Sequence, residues 1–143
     1  MHLTKRASYG LIAAVELARA APGEPVSAAW IAERYGLPAP FIEKILRRLR
    51  QTGVVTSRQG RGGGYALAEP PAALSVRRVL EALGERLDLV DCLGTLPACH
   101  LAGACPTQDA WRDLNERFRG LLDTLSLADL GRRATCQPPR RAL

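Results

Sequence analysis

Residues 27–67 read SAAWIAERYGLPAPFIEKILRRLRQTGVVTSRQGRGGGYAL, and this stretch decides the fold. Ser27 is a helix N-cap residue ahead of Trp30, Ile31 and Tyr35, which give a short helix its apolar surface. Gly36 suits that helix's C-terminal cap. Leu37-Pro38-Ala39-Pro40 is a brief connection, and the next helix runs to about Gln51, where Gly53 stops it. Two helices joined by so short a turn form a helix-turn-helix candidate. Val54-Val55-Thr56-Ser57 then has β propensity. Gly60-Arg61-Gly62-Gly63-Gly64 makes a tight, flexible turn, and Tyr65-Ala66-Leu67 returns as a strand. A β-hairpin directly after the second helix is the arrangement of a winged helix. The glycines do not read as a phosphate loop, because no Lys-Ser/Thr pair follows them and no helix opens from them.

Outward from this stretch the chain is helical on both sides. A first helix starts near Thr4, takes Leu11, Ile12, Val15 and Ala18 as its apolar stripe, and ends before the turn cluster Ala21–Pro25. After Glu69-Pro70-Pro71, Leu74 and Val79 form a hydrophobic staple around an N-cap at Ser75, and that helix ends near Gly84. Residues 91–105 show no period and hold three cysteines, two glycines and a proline. Pro106 suits the first turn of a further helix. In it Trp111, Leu114, Phe118, Leu121 and Leu125 recur as a heptad seam. The seam faces either the protein's own core or the same helix of a second chain; the lack of other large apolar faces favours the second chain. Ser126 with Asp129 caps a last short helix. The expected fold is mainly α with a small β-hairpin wing: a winged helix-turn-helix over 1–69 and a long C-terminal dimerisation helix within 70–131. The cysteine loop occupies 91–105, and a mobile basic tail follows over 132–143.

Composition narrows the function. The 143 residues carry a net charge of +6, a pI near 9.7, 24% charged and 47% hydrophobic side chains, which suits a globular chain. Residues 1–69 hold ten Lys/Arg against five Asp/Glu, residues 70–131 six against nine, and residues 132–143 four against none. A basic front and tail around an acidic middle suit a polyanionic partner. No apolar run approaches the ~18–20 residues of a membrane span, and no signal-peptide pattern opens the chain, so a cytoplasmic residence is expected. Four cysteines in such a setting point to free thiols, metal or redox chemistry rather than structural disulfides.

The helix at 40–50 has a reading face. At about 100° per residue, Ile42, Ile45, Leu46 and Leu49 cluster on the core side, and Pro40, Lys44 and Arg47 lie opposite. The N-terminal side chains of a helix in the major groove reach base edges first. Lys44 suits guanine acceptors, Glu43 a cytosine amino group, and Phe41 a thymine methyl. Arg47, Arg48 and Arg50 suit phosphates. Arg58 and Arg61 bring the wing to the backbone or minor groove, and Lys5 and Arg6 touch phosphate from the first helix. The plain alternative is a solvated charged face with a Glu43–Arg47 pair at i, i+4.

Cys92, Cys99 and Cys105 are spaced C-x(6)-C-x(5)-C. Three soft thiolates so close invite an iron–sulfur cluster or zinc, with a metal-free thiol sensor as the alternative. Zinc would recruit His100, which is adjacent to Cys99 and poorly placed to converge with it. Cys105 precedes a helix start, where the dipole lowers a thiol pKa. Cys136, in the tail, has no assigned role.

Leu3-Thr4-Lys5 with Tyr9, the Gly60-Arg61-Gly62-Gly63-Gly64-Tyr65 wing, and the cysteine trio followed by Trp111-Arg112-Asp113-Leu114 resemble the Rrf-two family of bacterial winged-helix regulators over about residues 1–130. The resemblance is to its cluster-sensing branches. It implies a homodimer with crossing C-terminal helices, binding to a palindromic double-stranded operator, and an iron–sulfur cluster that sets DNA affinity or sequence choice, with 2Fe-2S favoured over 4Fe-4S. It further implies that Cys92, Cys99 and Cys105 hold the cluster, that Glu43 tunes site choice and that Arg58 is the wing arginine. The chain departs from the pattern at the fourth ligand. One branch uses a histidine where this chain has Gln108, and another an acid where it has Ser8. Gln108, His100, Ser8 or an external thiol or water are the candidates. The expected function is therefore a DNA-binding transcriptional regulator controlled by an iron–sulfur cluster. The alternatives are a metal-free thiol switch or control by a bound partner enzyme. No nucleophile–base pair or carboxylate pair sits at useful spacing, so an enzyme is not expected.

Overall fold

The structure is a computed structural model, and it describes residues 2–94 and 99–134. In chain order it has α1 (Lys5–Arg19), α2 (Ala28–Tyr35), α3 (Ala39–Gln51), β1 (Val55–Arg58), β2 (Gly64–Leu67), α4 (Val76–Ala82), α5 (Gln108–Asp123) and α6 (Leu127–Arg133). Short 3-10 turns occupy Pro71–Ala73 and Asp91–Leu93. The expected architecture, mainly α with a hairpin wing and a long C-terminal helix, is what the chain adopts. No helix among the described residues is long and apolar enough to cross a membrane.

Local sequence sets the helix ends. The Ser27 side chain accepts from the Trp30 N–H at 3.1 Å, and Gly36 closes α2 in the left-handed conformation at φ +65°. Pro40 lies in the first turn of α3, where a missing N–H costs no helical hydrogen bond. Ser75 caps α4 by accepting from the Arg78 N–H, and Ser126 with Asp129 forms a reciprocal capping box on α6. Pro106 falls outside α5, because Thr107 is the cap and the helix starts at Gln108. The sequence places a proline there equally well in either position, since both precede the first obligatory helical N–H.

β1 and β2 pair antiparallel, with Val55 opposite Leu67 and Arg58 opposite Gly64. The hairpin is fastened to the α1–α2 connection by two main-chain bonds of 2.8 Å between Val26 and Tyr65. Ile42, Ile45, Leu46 and Leu49 of α3 are buried in one core with Ile31, Val54, Leu74, Val79, Leu83 and Leu127. Thus α4 and α6 share the core that the first three helices and the hairpin build. The chain after α5 turns back: the Val76 N–H bonds the Leu125 carbonyl and the Leu127 N–H the Leu74 carbonyl, and α6 packs on α1. A smaller cluster of Ala7, Val76, Leu80 and Leu87 receives Phe118, Leu122 and Leu125.

The stripe expected of α1 is displaced. Leu11, Ile12, Val15 and Ala18 are only half-buried, and the fully buried face is Ala7, Gly10, Ala13, Ala14 and Leu17. Small residues let the α1 backbone come close to its neighbours, and a Cβ on Gly10 would overlap the Leu83 side chain. α1 also buries Glu16, which accepts from the Tyr35 hydroxyl and pairs with Arg19 at 3.5 Å and Arg34 at 3.9 Å, bracing α2 against α1. Gly10→Val should therefore destabilise the fold by about 1–3 kcal/mol through overpacking. In urea melts, adding Leu83→Ala should return part of that loss, because it vacates the volume the new side chain needs.

Candidate nucleic-acid interface and cysteine loop

Burial of the aliphatic face of α3 leaves Pro40, Lys44, Arg47, Arg48 and Arg50 exposed, with Phe41 and Glu43 half-buried at the borders. Two grooves flank this face. One, between the start of α1 and α3, is lined by Lys5, Arg6, Phe41, Lys44, Arg47 and Arg48. The other, between α3 and the hairpin, is lined by Glu43, Arg47, Arg50, Arg58 and Tyr65, among others. Arg47 belongs to both, so the structure brings the cations of α1, α3 and the wing onto one side of the molecule. Arg61 stands exposed at the turn of the hairpin.

The cations differ in what holds them. Lys5, Lys44, Arg47, Arg58 and Arg61 make no hydrogen bond or ion pair with another of the described residues. Arg48 donates through Nε to the Ala82 carbonyl at 3.3 Å, and Arg50 donates to Ser57 Oγ at 3.2 Å. Arg6 pairs with Glu85 at 3.8 Å, and the Thr4 hydroxyl donates to the same carboxylate. Arg6, Arg48 and Arg50 thus brace α1, α4 and the hairpin while remaining exposed. Phe41 meets the Tyr9 ring edge-on at 5.6 Å, so one side of its ring is spent on packing.

Glu43 does not pair with Arg47 across the helix turn. Its Oε1 accepts from the Tyr65 hydroxyl at 2.6 Å. Burial first, and the neighbouring Glu43 carboxylate second, push the Tyr65 phenol above its ordinary pKa, so it stays a donor at neutral pH. In the sequence Tyr65 reads as a strand residue and as the end of the glycine wing, with no partner on α3. The available signal was its inward place in the alternation of β2, on the side that meets α3.

The three loop cysteines lie apart in character. Cys92 is exposed in the Asp91–Leu93 turn, Cys99 is exposed, and Cys105 is half-buried two residues before the α5 cap. Among the described residues no three His, Cys, Asp or Glu side chains are arranged to hold a metal ion. Ser8 and His100 are exposed and Gln108 is half-buried. An iron–sulfur cluster therefore does not fit the side chains as they stand in this single chain. Cys136 and the end of the basic tail lie outside the described residues. Cys105 itself is perturbed: the Thr107 hydroxyl, 3.4 Å from its sulfur, and then the main-chain N–H groups of Thr107 and Gln108 hold its thiol below the ordinary value.

The start of the loop is clamped to α5. The Leu89 N–H donates to Oδ1 of buried Asn115 at 2.7 Å, and Arg119 binds Asp88 at 2.7 Å. The heptad seam divides along its length. Phe118 and Leu125 pack on the protein's own smaller cluster, whereas Trp111, Leu114 and Leu121 stay 37%, 48% and 65% exposed.

Residues 3–133 match the Rrf2 family, described as an iron-dependent transcriptional regulator. The HTH-type transcriptional regulator IscR of Yersinia pseudotuberculosis is 36% identical over 130 residues, 91% of this chain and 79% of that one. Among solved structures, CymR (YrzC), the global cysteine regulator of B. subtilis, superposes with a TM-score of 0.76 at 25% identity, over 94% of this chain and 98% of that one. IscR of T. potens superposes with a TM-score of 0.71 at 30% identity, over 94% and 88%. The chain is a member of the Rrf2 family of winged-helix, DNA-binding, non-catalytic transcriptional regulators.

Proposed function

We propose that the protein acts as a homodimer on a palindromic operator, with α3 in the major groove and the hairpin on the flanking backbone or minor groove. The observation that carries this reading is the set of unpaired cations, Lys5, Lys44, Arg47, Arg58 and Arg61, gathered around one exposed helix face. Unpaired cations are free to displace condensed counterions from a duplex. Residues 1–69 form the reading unit and 70–131 the coupling region. The exposed Trp111, Leu114 and Leu121 supply the apolar surface for the second copy. Two half-sites must match the separation of two recognition helices, so the geometry of the dimer sets affinity. In this reading Lys44, Glu43 and Phe41 face base edges near Pro40, and Arg6, Arg47, Arg48, Arg58 and Arg61 face phosphates or the minor groove.

The same reading places the signal at the thiols. Cys105 is the primed group, because its thiolate is populated at lower pH than that of an ordinary thiol. A hydroperoxide is the matching oxidant. The thiolate attacks one peroxide oxygen, the S–O bond forms as the O–O bond breaks, and the departing oxygen leaves with a proton as water or an alcohol. The sulfenic acid then condenses with a second loop thiol, forming S–S and releasing water. A protein of similar fold, Staphylococcus aureus CymR, has been solved in an oxidized form, which supports this thiol switch. Closure of the loop would pull on the Asn115 and Asp88–Arg119 clamp, and so on α5.

A second reading keeps the iron–sulfur cluster, and two observations favour it: the iron-dependent description of the family and the likeness to IscR. Cys92, Cys99 and Cys105 would then hold the group, after a rearrangement of the loop that brings them together. Iron and acid-labile sulfide analysis of anaerobically purified dimer separates the two. Stoichiometric iron and sulfide with visible absorbance would replace the thiol reading by the cluster reading. Iron-free protein whose operator binding responds to peroxide supports the thiol reading.

Two further outcomes are expected. Lys44→Ala should reduce discrimination between the operator and single-base variants by about 1–3 kcal/mol, whereas Arg58→Ala should weaken all sequences alike and lower the salt slope by about one. Titrations of duplex binding at several salt concentrations read both. Thr107→Val removes the leading stabiliser of the Cys105 thiolate, so the folded-state pKa rises. Alkylation of Cys105 by iodoacetamide should then slow at neutral pH, and its pH–rate profile should move to higher pH, with Cys105→Ser as the blank.

A further inference from the structure

We propose that Tyr65 is a positioning residue for sequence recognition, its hydroxyl holding one oxygen of the Glu43 carboxylate so that the other is presented to a cytosine amino group in the major groove. This inference rests on the reading of α3 as the DNA-reading helix.

Glu43 lies on α3 four residues before Arg47, the spacing at which a glutamate and an arginine pair readily on a helix surface. Left to itself, Glu43 has every electrostatic reason to fold onto Arg47. That pairing would withdraw the carboxylate from a base edge and neutralise a phosphate-facing cation together. In the structure the pairing does not form. Glu43 Oε1 is instead occupied by the Tyr65 hydroxyl at 2.6 Å, and Glu43 Oε2 has no hydrogen-bonding or charged partner among the described residues. A carboxylate with one oxygen fixed and one open has a single acceptor to offer in a single direction. In the major groove, cytosine N4 and adenine N6 are the amino donors. Adenine also carries the N7 acceptor beside its donor, which repels a carboxylate, so cytosine is the better match.

Tyr65 is itself unusually well anchored for this task. It is 7% exposed, and its main chain is bonded in both directions to Val26. The preceding Gly64, at φ +153°, lies so close to Val26 that a Cβ there would stand 2.5 Å from the Val26 carbonyl oxygen. Glycine at 64 thus lets β2 seat against the α1–α2 connection, and that seating aims the Tyr65 ring at α3. The hairpin then contributes to base selection without reaching a base, by fixing a side chain of the recognition helix.

The experiment is a selection of bound duplexes from a random library, followed by affinity and salt titrations, with the full-length protein and the variants Tyr65→Phe, Glu43→Ala, Glu43→Gln and the double variant Glu43→Ala/Tyr65→Phe. The parent should enrich a motif with a fixed cytosine in each half-site. Tyr65→Phe should lose preference at that position by roughly five- to a hundredfold, the range for one good base contact, with the salt slope unchanged. The double variant should match Glu43→Ala, since the tyrosine acts only through the glutamate. A Tyr65→Phe motif identical to the parent's, in conditions where Glu43→Ala changes it, overturns the inference. So does a motif that Glu43→Ala leaves unaltered. A parent that enriches no motif removes the DNA-reading assignment, and the inference falls with it. Should Tyr65→Phe fail to fold, Glu43→Gln keeps the question open to refutation. It retains an acceptor for Tyr65 but offers an amide donor outward, so the preferred base must change; mere loss of preference counts against the proposal.

Discussion

Burial of one aliphatic face of α3 is the constraint on which the rest of the molecule depends. Ile42, Ile45, Leu46 and Leu49 are each no more than 1% exposed. Each such side chain stabilises its burial by about 1.5–3 kcal/mol, whereas a charged pair on an exposed helix face is worth a few tenths. Hydrophobic packing therefore sets the rotation of the helix about its axis, and the charged residues take the directions left to them. Lys44 and Arg47 point outward because leucine and isoleucine at neighbouring positions point inward. A one-residue slip in this pattern would turn the whole cationic face by about 100°.

Elements governed by local chemistry were legible in the chain. Ser27, Gly36, Ser75 and the Ser126–Asp129 pair mark their caps through backbone bonding within three or four residues, and each does so in the structure. The aliphatic period of α3 and the glycine turn of the hairpin were equally plain. What escaped depends on distant partners. The buried face of α1 consists of alanine and glycine, because Leu83 of the segment after α4 fills the space at Gly10; a hydropathy pattern favours Leu11 and Ile12 instead. The seam on α5 reads as one stripe, yet Phe118 and Leu125 face α4's cluster and Leu114 and Leu121 face outward. Periodicity reports that a stripe is apolar and is silent about which of two surfaces covers it.

The cationic face of α3 shows the same division. Its cations were identifiable from spacing and composition, but their engagements were not. Arg48 bonds the end of α4, Arg50 bonds the hairpin, and Glu43 bonds Tyr65 across twenty-two positions of chain. The cysteine loop was legible as a chemical inventory alone. Three thiols at close spacing promise soft-ligand or redox chemistry, while the shape that selects between them depends on what the loop packs against.

The return of the chain after α5 has a mechanical meaning. Leu127 is buried in the main core, and the bonds from Val76 to Leu125 and from Leu127 to Leu74 rivet the end of α5 to the base of α4. The sixteen residues of α5 extend about 24 Å at about 1.5 Å per residue. A rod of that length, riveted at its end and clamped at mid-length by Asn115 to Leu89 and by Arg119 to Asp88, behaves as a stiff lever rather than a tether. A tilt of a few degrees over that length displaces the far tip by about an ångström.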